Sequence, residues 1–349
     1  MFSSLLRVLF FYQCLALVQS FGSFKLPKLP WQNQQSQPNS LIGGGDNKAL
    51  QPGDTVTVVG ASGNVGKLVA LRLSDTYKVN GIVRDAASVA PFFEGRDDRI
   101  KLFEANLLDE MKISEGSKGC PASLIEALQN SNAIVICTGT TAFPTKAWTK
   151  SGEEEVSSDV LKALFDNKFS VKDAIASLDE QGLNTPNNVD AKSNQFIVQA
   201  WDDACKVAQK RIIMLSSIGV QRRDTMPFPI LNACGVLDAK AEGERAIEES
   251  AKNGGYSYTI IRPGQLFGGP YDNNYYLGTL FQLDKDAATQ NVEFGKGDEL
   301  LGDTLRSTLA ETCAQVCEGD SARDIDFAVV NVKGESPTVD TVQEKLANL

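Results

Sequence analysis

The stretch TVTVVGASGNVG, residues 55–66, joins a short β-branched run to a loop that contains three glycines. The run predicts a buried strand, and residues 65–74 beyond the loop predict a helix. The first glycine permits a tight turn, the second lets the backbone approach a pyrophosphate, and the third lets the helix pack closely on the strand. This strand–glycine–helix order favours a dinucleotide site over a purely structural turn, since the helix N-terminus offers free N–H groups to phosphates. The residues predicted to form this part of the site are Gly60, Ser62, Gly63, Asn64, Val65 and Gly66.

Beyond this loop, β-branched runs alternate with segments of helical periodicity. Apolar strands separated by amphipathic helices are typical of a parallel sheet covered on both faces. We therefore predict an α/β fold, a doubly wound parallel-sheet Rossmann domain over residues 54–335, with a small C-terminal substrate-side region and a C-terminal helix within 336–349. The predicted strands are Thr55–Val59, Val79–Val83, Ile100–Phe103, Ala133–Cys137, Arg211–Leu215, Tyr258–Ile261 and Phe327–Val330. One predicted helix has its apolar positions at Phe196, Ile197, Ala200, Trp201, Ala204, Val207 and Ala208.

The ends of the next strands supply further residues to the predicted site. Arg84 ends the second strand, where an NAD-preferring protein usually has an acidic residue and where Arg can pair with a 2′-phosphate. We therefore predict NADP as the cofactor, and NAD stays open because Asp85 follows directly. A surface charge at a strand end is the alternative for Arg84. The residues expected along the coenzyme after the third and fourth strands are Asn106, Leu107, Thr138, Gly139 and Thr140.

Six motifs in register resemble the atypical short-chain dehydrogenase/reductase superfamily of NAD(P)-binding Rossmann proteins, and in particular its NmrA-like and plastid members. The motifs are GASGNVG at 60–66, VRD at 83–85, CTGTTAFP at 137–144, MLSSIGV at 214–220, GVLDAKAEGE at 235–244 and YTIIRPGQL at 258–266. The resemblance implies an oxidoreductase fold in which Lys240 is the catalytic lysine and contacts the nicotinamide ribose. It also implies that Ser216 and Ser217 line the nicotinamide side, and that Pro263 and Gly264 adjoin the ring.

The chain departs from the family pattern four residues before Lys240, where Val236 stands in place of the usual tyrosine. In the family the Lys cation lowers the pKa of that phenol, which then exchanges a proton with the substrate. Valine has no exchangeable proton. The stripe formed with Val236 predicts that Lys240 faces inward and bonds the ribose hydroxyls; a side chain that extends to solvent is the alternative. Other candidate proton donors are Tyr271, Tyr275, Tyr276, Asp272 and Asp238, and no spacing singles one out.

Two functions therefore stay open, and whether the protein is an enzyme is left undecided. One is an NADP-dependent plastid oxidoreductase that acts on a small or isoprenoid-like molecule. The other is a non-catalytic NADP(H)-sensing regulatory or assembly factor. A carbohydrate epimerase is disfavoured because it needs the same tyrosine. The chain has no histidine, which excludes catalytic triads and metal sites that depend on imidazole, and its net charge of -10 argues against binding to nucleic acid. Its seven dispersed cysteines predict buried thiols, not a disulfide framework.

Two segments lie outside the Rossmann pattern. Residues 1–20 predict a signal peptide whose apolar run is too short for a bilayer span, so no span is expected in the mature chain. Residues 21–45 lack Asp and Glu and predict a transit-like segment and linker. The two together resemble the presequence of plastids with extra membranes and predict a stromal or thylakoid-associated protein, with secretion as the alternative. Residues 151–183 carry eight acidic residues against three lysines and predict a helical insertion of two short amphipathic helices. Phe165 is among the apolar positions of the first helix, and Ser170 and Asp173 fit an N-terminal cap of the second. The insertion is a solvated surface, a lid over the substrate or a docking surface for a plastid protein.

Overall fold

The structure of the protein is a computed structural model that describes residues 49–114, 119–152, 154–268 and 289–349. Their centre is an eight-stranded sheet in the order β3-β2-β1-β4-β5-β6-β10-β8, parallel except for β8 at one edge. A second sheet pairs β7 with β9. All seven predicted strands are confirmed. The strands are β1 Thr55–Val59, β2 Lys78–Val83, β3 Ile100–Glu104, β4 Ala133–Ile136, β5 Arg211–Leu215, β6 Ser257–Pro263, β7 Gln265–Phe267, β8 Asn291–Lys296, β9 Asp303–Leu305 and β10 Ile325–Val332.

Helices cover both faces of the large sheet, as the doubly wound prediction requires. The helices are α1 Gly66–Leu73, α2 Ala86–Val89, α3 Leu107–Ser114, α4 Ala122–Leu128, α5 Ser157–Asp166, α6 Val171–Glu180, α7 Ser193–Ala204, α8 Phe228–Leu231, α9 Val236–Gly254, α10 Arg306–Glu318 and α11 Val339–Ala347. One face is covered by α1, α10 and α11, and the other by α4, α7 and α9. Burial on both faces explains why the strands are apolar throughout.

The strand order shows where a ligand would bind. The carboxyl ends of the parallel strands are called the binding edge of the sheet below. Because the chain crosses from one side of β1 to the other between β3 and β4, the carboxyl ends of β1 and β4 flank the topological switch point. Ligands of open α/β sheets bind in the crevice at this point. The loops after β1 and β4 are therefore the part of the fold where the predicted site residues must meet.

Helix α7 is shorter than its periodicity predicts. The helix ends at Ala204, and Cys205 has extended backbone angles. The prediction that Val207 and Ala208 continue the helix is wrong. The backbone N–H of Lys206 donates to Gln129 O, and this bond directs the chain away from the helix and toward the start of β5. The thiols Cys313 and Cys317 on α10 are free and pack in the core, as predicted.

The insertion at 151–183 forms the helix pair α5 and α6, which has an apolar cluster of its own that includes Trp148 and Cys234. The predicted cap of α6 is confirmed, because Ser170 Oγ accepts the N–H of Asp173. Phe165 was expected among the apolar positions of α5, yet its side chain is 59% exposed. Its ring packs edge-on against Phe169 at the turn between the helices instead of facing the cluster.

The predicted presequence, residues 1–45, lies outside the described residues. Within the described ranges, no helix combines the length and the apolar character that a membrane crossing requires. The C-terminal helix is present as α11, and the Thr338 hydroxyl caps its first turn.

Candidate functional site

The loop between β1 and α1 has the geometry predicted for its first and third glycines, and the approach of Gly63 to a pyrophosphate stays a prediction. Gly60 has a φ of +81°, in the left-handed region that favours glycine. A Cβ on Gly66 would lie 2.1 Å from the carbonyl oxygen of Gly60, so only glycine allows the helix to start this close to the strand. Gly63 lies exposed at the rim of the loop and donates its N–H to Gly60 O at 2.9 Å. The loop is therefore built around a close backbone approach.

The first turn of α1 is open to an anion. No side chain caps the helix at Val65, and its first turn contains no acidic residue. Uncapped N–H groups at a helix N-terminus carry partial positive charge and bind phosphate. The exposed or half-exposed positions Ser62, Gly63 and Asn64 form the rim of the loop.

The loop after β4 contacts this glycine turn. A Cβ on Gly60 would lie 3.2 Å from both the nitrogen and Cγ2 of Thr138. Thr138 Oγ1 in turn donates to Asn194 Oδ1 at 2.7 Å. The two loops that flank the switch point are thus in contact, and Asn194 on α7 holds the second of them in place.

Further along the same loop, Gly139 and Thr140 meet a buried ion pair. Lys240 Nζ lies 2.7 Å from Asp190 Oδ1, and the N–H of Thr140 donates to Asp190 Oδ2 at 3.2 Å. A Cβ on Gly139 would lie 3.3 Å from that carboxylate and 3.5 Å from the ammonium. Burial raises the pKa of the Asp190 carboxyl, and the charge of Lys240 opposes the shift.

Lys240 faces inward, as predicted, and is 9% exposed on a stripe with Val236, Gly243 and Ile247. The alternative in which its ammonium extends to solvent is wrong. Its partner in the structure is a carboxylate, whereas the sequence predicted ribose hydroxyls alone. Val236 is buried one turn before Lys240, at the helix position where the family has its tyrosine.

Asp190 and Asn194 are functional candidates that the sequence analysis missed. Asp190 lies in a π-helical turn, Asn187–Lys192, directly before α7, and it is 0% exposed. A signal was present in the sequence. Asp190 and Asn194 continue, at spacings of four and three, the buried stripe of Ile197 and Trp201, and polar residues on an apolar stripe indicate buried partners.

The ends of β2 and β3 lie at the same edge. Arg84 is exposed at the end of β2, and its Nη1 donates to the carbonyl of Lys150 at 3.3 Å. Asp85 caps α2 by accepting the N–H of Ser88, so its carboxylate has a structural role in this structure. Asn106 Oδ1 likewise accepts the N–H of Leu108 at the start of α3, and the side chain of Leu107 is buried.

The ends of β5 and β6 are joined where the resemblance places the nicotinamide. The N–H of Ile218 donates to Pro263 O at 3.0 Å. Ser216 Oγ donates to the Glu244 carboxylate, and Ser217 Oγ donates to the carbonyl of Ile218. Both serine hydroxyls are thus bonded within the protein, and their roles toward a coenzyme stay predictions.

Of the five candidate proton donors, Asp238 is the one that lies within the described residues. Asp238 pairs with Arg223 at 2.9 Å and accepts from Asn232 at 3.0 Å, so its carboxylate already has partners in the protein. Tyr271, Asp272, Tyr275 and Tyr276 lie outside the described residues.

The residues present fit a dinucleotide. Thr140 Oγ1, in the loop after β4, is buried and has no hydrogen-bond partner in the described part of the chain. Buried hydroxyls without partners are uncommon in proteins and mark places where a ligand or water bonds. With the glycine loop at one end and Lys240 at the other, the edge offers backbone donors to phosphates and polar groups to a ribose.

Comparisons with known proteins bear on the fold and on nucleotide binding. Residues 60–318 match a family model described as NAD(P)H-binding. The oxidoreductase ylbE from Lactococcus lactis is 18% identical, with a TM-score of 0.52, 84% of this chain covered and 97% of that one. A Bacillus halodurans protein assigned to the NAD-dependent epimerases/dehydratases is 20% identical (TM-score 0.48; 84% and 100% covered). A short-chain dehydrogenase/reductase from Veillonella parvula in complex with NADP is 12% identical (TM-score 0.43; 82% and 99% covered). The likeness to the first of these supports the fold.

Proposed function

Because the chain belongs to the NAD(P)H-binding family, whose proteins are oxidoreductase-like, we propose that it is an NADP-dependent oxidoreductase acting on a small molecule. The observation that carries this proposal is the arrangement at the binding edge of the sheet. The glycine loop leads into the uncapped start of α1 and contacts the loop after β4, which in turn adjoins the buried Lys240. The loop at 60–66 would hold the pyrophosphate. Thr138, Gly139 and Thr140 would lie along the coenzyme, and Lys240 would bond the ribose beside the nicotinamide.

The coenzyme, when bound, supplies a hydride to a carbon of the substrate, and a proton must reach the neighbouring atom. Val236 holds no proton to give. The proton therefore comes from another group or from water, and the protein's own task is to bind the coenzyme, orient it and hold the substrate over the ring.

Titration of the protein with NADPH, NADP⁺, NADH and NAD⁺ tests the proposal. Binding is followed by the fluorescence of the nicotinamide for the two reduced forms and by the tryptophan fluorescence of the protein for the two oxidised forms. We expect saturable NADPH binding, and oxidation of the bound NADPH once a fractionated metabolite extract is added. Tight binding without oxidation in any fraction supports the second function below. If none of the four nucleotides binds at micromolar concentration, both functions are refuted.

Replacing Arg84 by Ala is expected to weaken NADP binding by about tenfold and to leave NAD binding almost unchanged, because a charge-assisted pair with the 2′-phosphate is lost. Arg84 is suited to this role since it is exposed two residues beyond Ile82, whose carbonyl accepts the N–H groups of Gly60 and Ala61. The measurement is the dissociation constant of each nucleotide.

Arg99→Ala is the matched control for that variant. Arg99 precedes β3, at the amino end of the parallel strands and not at the carboxyl end where Arg84 lies, and it is also exposed. Its loss removes the same charge and should change neither constant. An equal loss of NADP and NAD affinity in Arg84→Ala contradicts the role in binding the 2′-phosphate.

A second function is favoured by one specific observation. Val236 removes the family's proton donor while Lys240 remains buried at the edge, which suits a protein that binds NADP(H) without turning it over. In this alternative the protein is an NADP(H)-sensing regulatory or assembly factor. The α5–α6 pair, which packs on its own cluster, would then serve as the surface that contacts a plastid protein.

A plastid location is part of both proposals. It is supported by the sequence of residues 1–45, with an apolar run followed by an acid-free stretch. A fluorescent protein carrying residues 1–45 should enter the plastid in cells whose plastids have extra membranes. The same reporter carrying residues 21–45 alone should stay in the cytosol. Secretion of the first reporter contradicts the proposal.

A further inference from the structure

We propose that Asp190 is a positioning residue for Lys240: it fixes the ammonium at the edge of the sheet and compensates its charge, so that Lys240 acts on the coenzyme as a hydrogen-bond donor and not as an isolated cation. This inference rests on the coenzyme site proposed above. It assigns a role to a residue that the family resemblance does not provide.

The contacts of Asp190 hold both partners rigidly. One carboxylate oxygen lies 2.7 Å from Lys240 Nζ, and the other accepts the N–H of Thr140 at 3.2 Å. The backbone carbonyl of Asp190 accepts Asn194 Nδ2 at 2.9 Å. The carboxylate thus links α9 to the loop after β4, while Asn194 fixes the turn that carries it.

The close packing of α9 on the π-helical turn explains how a lysine of α9 reaches Asp190. A Cβ on Gly243 would lie 2.5 Å from the carbonyl oxygen of Asp190, so the two backbones are in direct contact at this glycine. Gly243 lies one turn beyond Lys240 on the same buried stripe. The separation of Asp190 and Lys240 is therefore set by backbone packing and not by the reach of a flexible side chain.

The net charge of the Asp190–Lys240 pair affects how the two redox forms of the coenzyme bind. Lys240 is the only residue in the described ranges that forms an ion pair with Asp190, and Glu244, one turn further on, pairs with Arg262 instead. The Asp190–Lys240 pair is therefore locally neutral. An ammonium without its carboxylate would repel the oxidised nicotinamide, which carries a positive charge that the reduced ring lacks. Such repulsion is strong within a protein, where screening is weak.

Because Val236 replaces the family's tyrosine, Lys240 needs another partner, and Asp190 is that partner. In the family pattern the lysine's charge acts on a tyrosine one turn earlier, but here that turn presents the buried Val236. A buried cation beside an apolar side chain is costly unless it is paired and hydrogen-bonded. Asp190 supplies that partner before any coenzyme binds.

The test is a charge cycle read out as the ratio of the NADP⁺ to the NADPH dissociation constant. Asp190→Asn keeps the acceptor for Thr140 and removes the anion; measured at about pH 6, it should raise the ratio by about tenfold. Lys240→Met, measured at about pH 8, leaves the anion alone and should lower the ratio. Asp190→Asn combined with Lys240→Met should return the ratio to within about twofold of the wild-type protein. The wild-type ratio is measured at both pH values.

Opposite shifts that cancel in the double variant support the charge role, since a merely structural residue would weaken both redox forms alike. Unchanged ratios in two single variants that still bind NADPH overturn the inference but leave the proposed function standing. A wild-type protein that binds neither form refutes both. If thermal unfolding shows that Asp190→Asn does not fold, Lys240→Arg is compared with Lys240→Met instead. Lys240→Arg keeps the positive charge and should keep the wild-type ratio. Equal ratios in these two variants refute the charge role.

Discussion

Replacing Gly63 by Asp is expected to weaken NADPH binding by at least about a hundredfold while the protein still folds. The new carboxylate would stand at the rim of the loop, in front of the uncapped N-terminus of α1, where the pyrophosphate is proposed to bind. It would repel the phosphates and bond the same N–H groups. Folding should survive because Gly63 is exposed and, unlike Gly60, its φ lies outside the left-handed region, so a side chain is tolerated.

Gly63→Ala separates the charge effect from the steric one. Its Cβ would lie 3.2 Å from Gly60 O, a tight contact that a small shift relieves, so a loss of about tenfold or less is expected. Dissociation constants from NADPH fluorescence and melting temperatures of the three proteins give the measurement. NADPH affinity that stays at the wild-type level in Gly63→Asp would show that the loop does not bind the pyrophosphate.

The features that could be predicted from the sequence are local ones. The strand at Thr55–Val59 and the loop at 60–66 are read from a single continuous stretch, because backbone conformation and anion binding both depend on neighbouring residues. The same holds for the cap of α6, where Ser170 and Asp173 lie three residues apart. Burial on both faces of the sheet made the strands conspicuous as apolar runs.

What could not be predicted depends on contacts between distant segments. Lys240 was placed correctly on the inner face of its helix, but its partner Asp190 lies 50 residues earlier in the sequence and is brought near only by the packing of α9 on the π-helical turn. A π-helical turn is not visible in a hydrophobic pattern of period 3.6. Phe165 shows the converse, since its apolar side chain follows the helical period and yet packs on Phe169 at a surface turn.

Replacing Glu244 by Gln is expected to lower the free energy of unfolding by about 3 kcal/mol, because it leaves a buried cation short of its main partner. Arg262 is 1% exposed, and its Nε and Nη2 bond the two oxygens of Glu244 at 3.0 and 2.7 Å. Ser216 also donates to this carboxylate at the end of β5. Glutamine has the shape of glutamate but offers one acceptor oxygen and no charge, so one of the two Arg262 N–H groups loses its acceptor and faces the amide NH2 instead.

Asp326→Asn is the matched control, since Asp326 also pairs with Arg262 but its side chain is 28% exposed. Solvent screens that pair and can replace its bonds, so a loss below about 1 kcal/mol is expected. Urea unfolding of both variants, analysed at a common denaturant slope, measures the two values. Equal losses would mean that Arg262 is held by the total charge around it and not by the buried carboxylate. A larger loss of unfolding free energy in Glu244→Gln, accompanied by weaker NADPH binding, would show that one buried carboxylate supports both the stability of the fold and the geometry of the site at the end of β5.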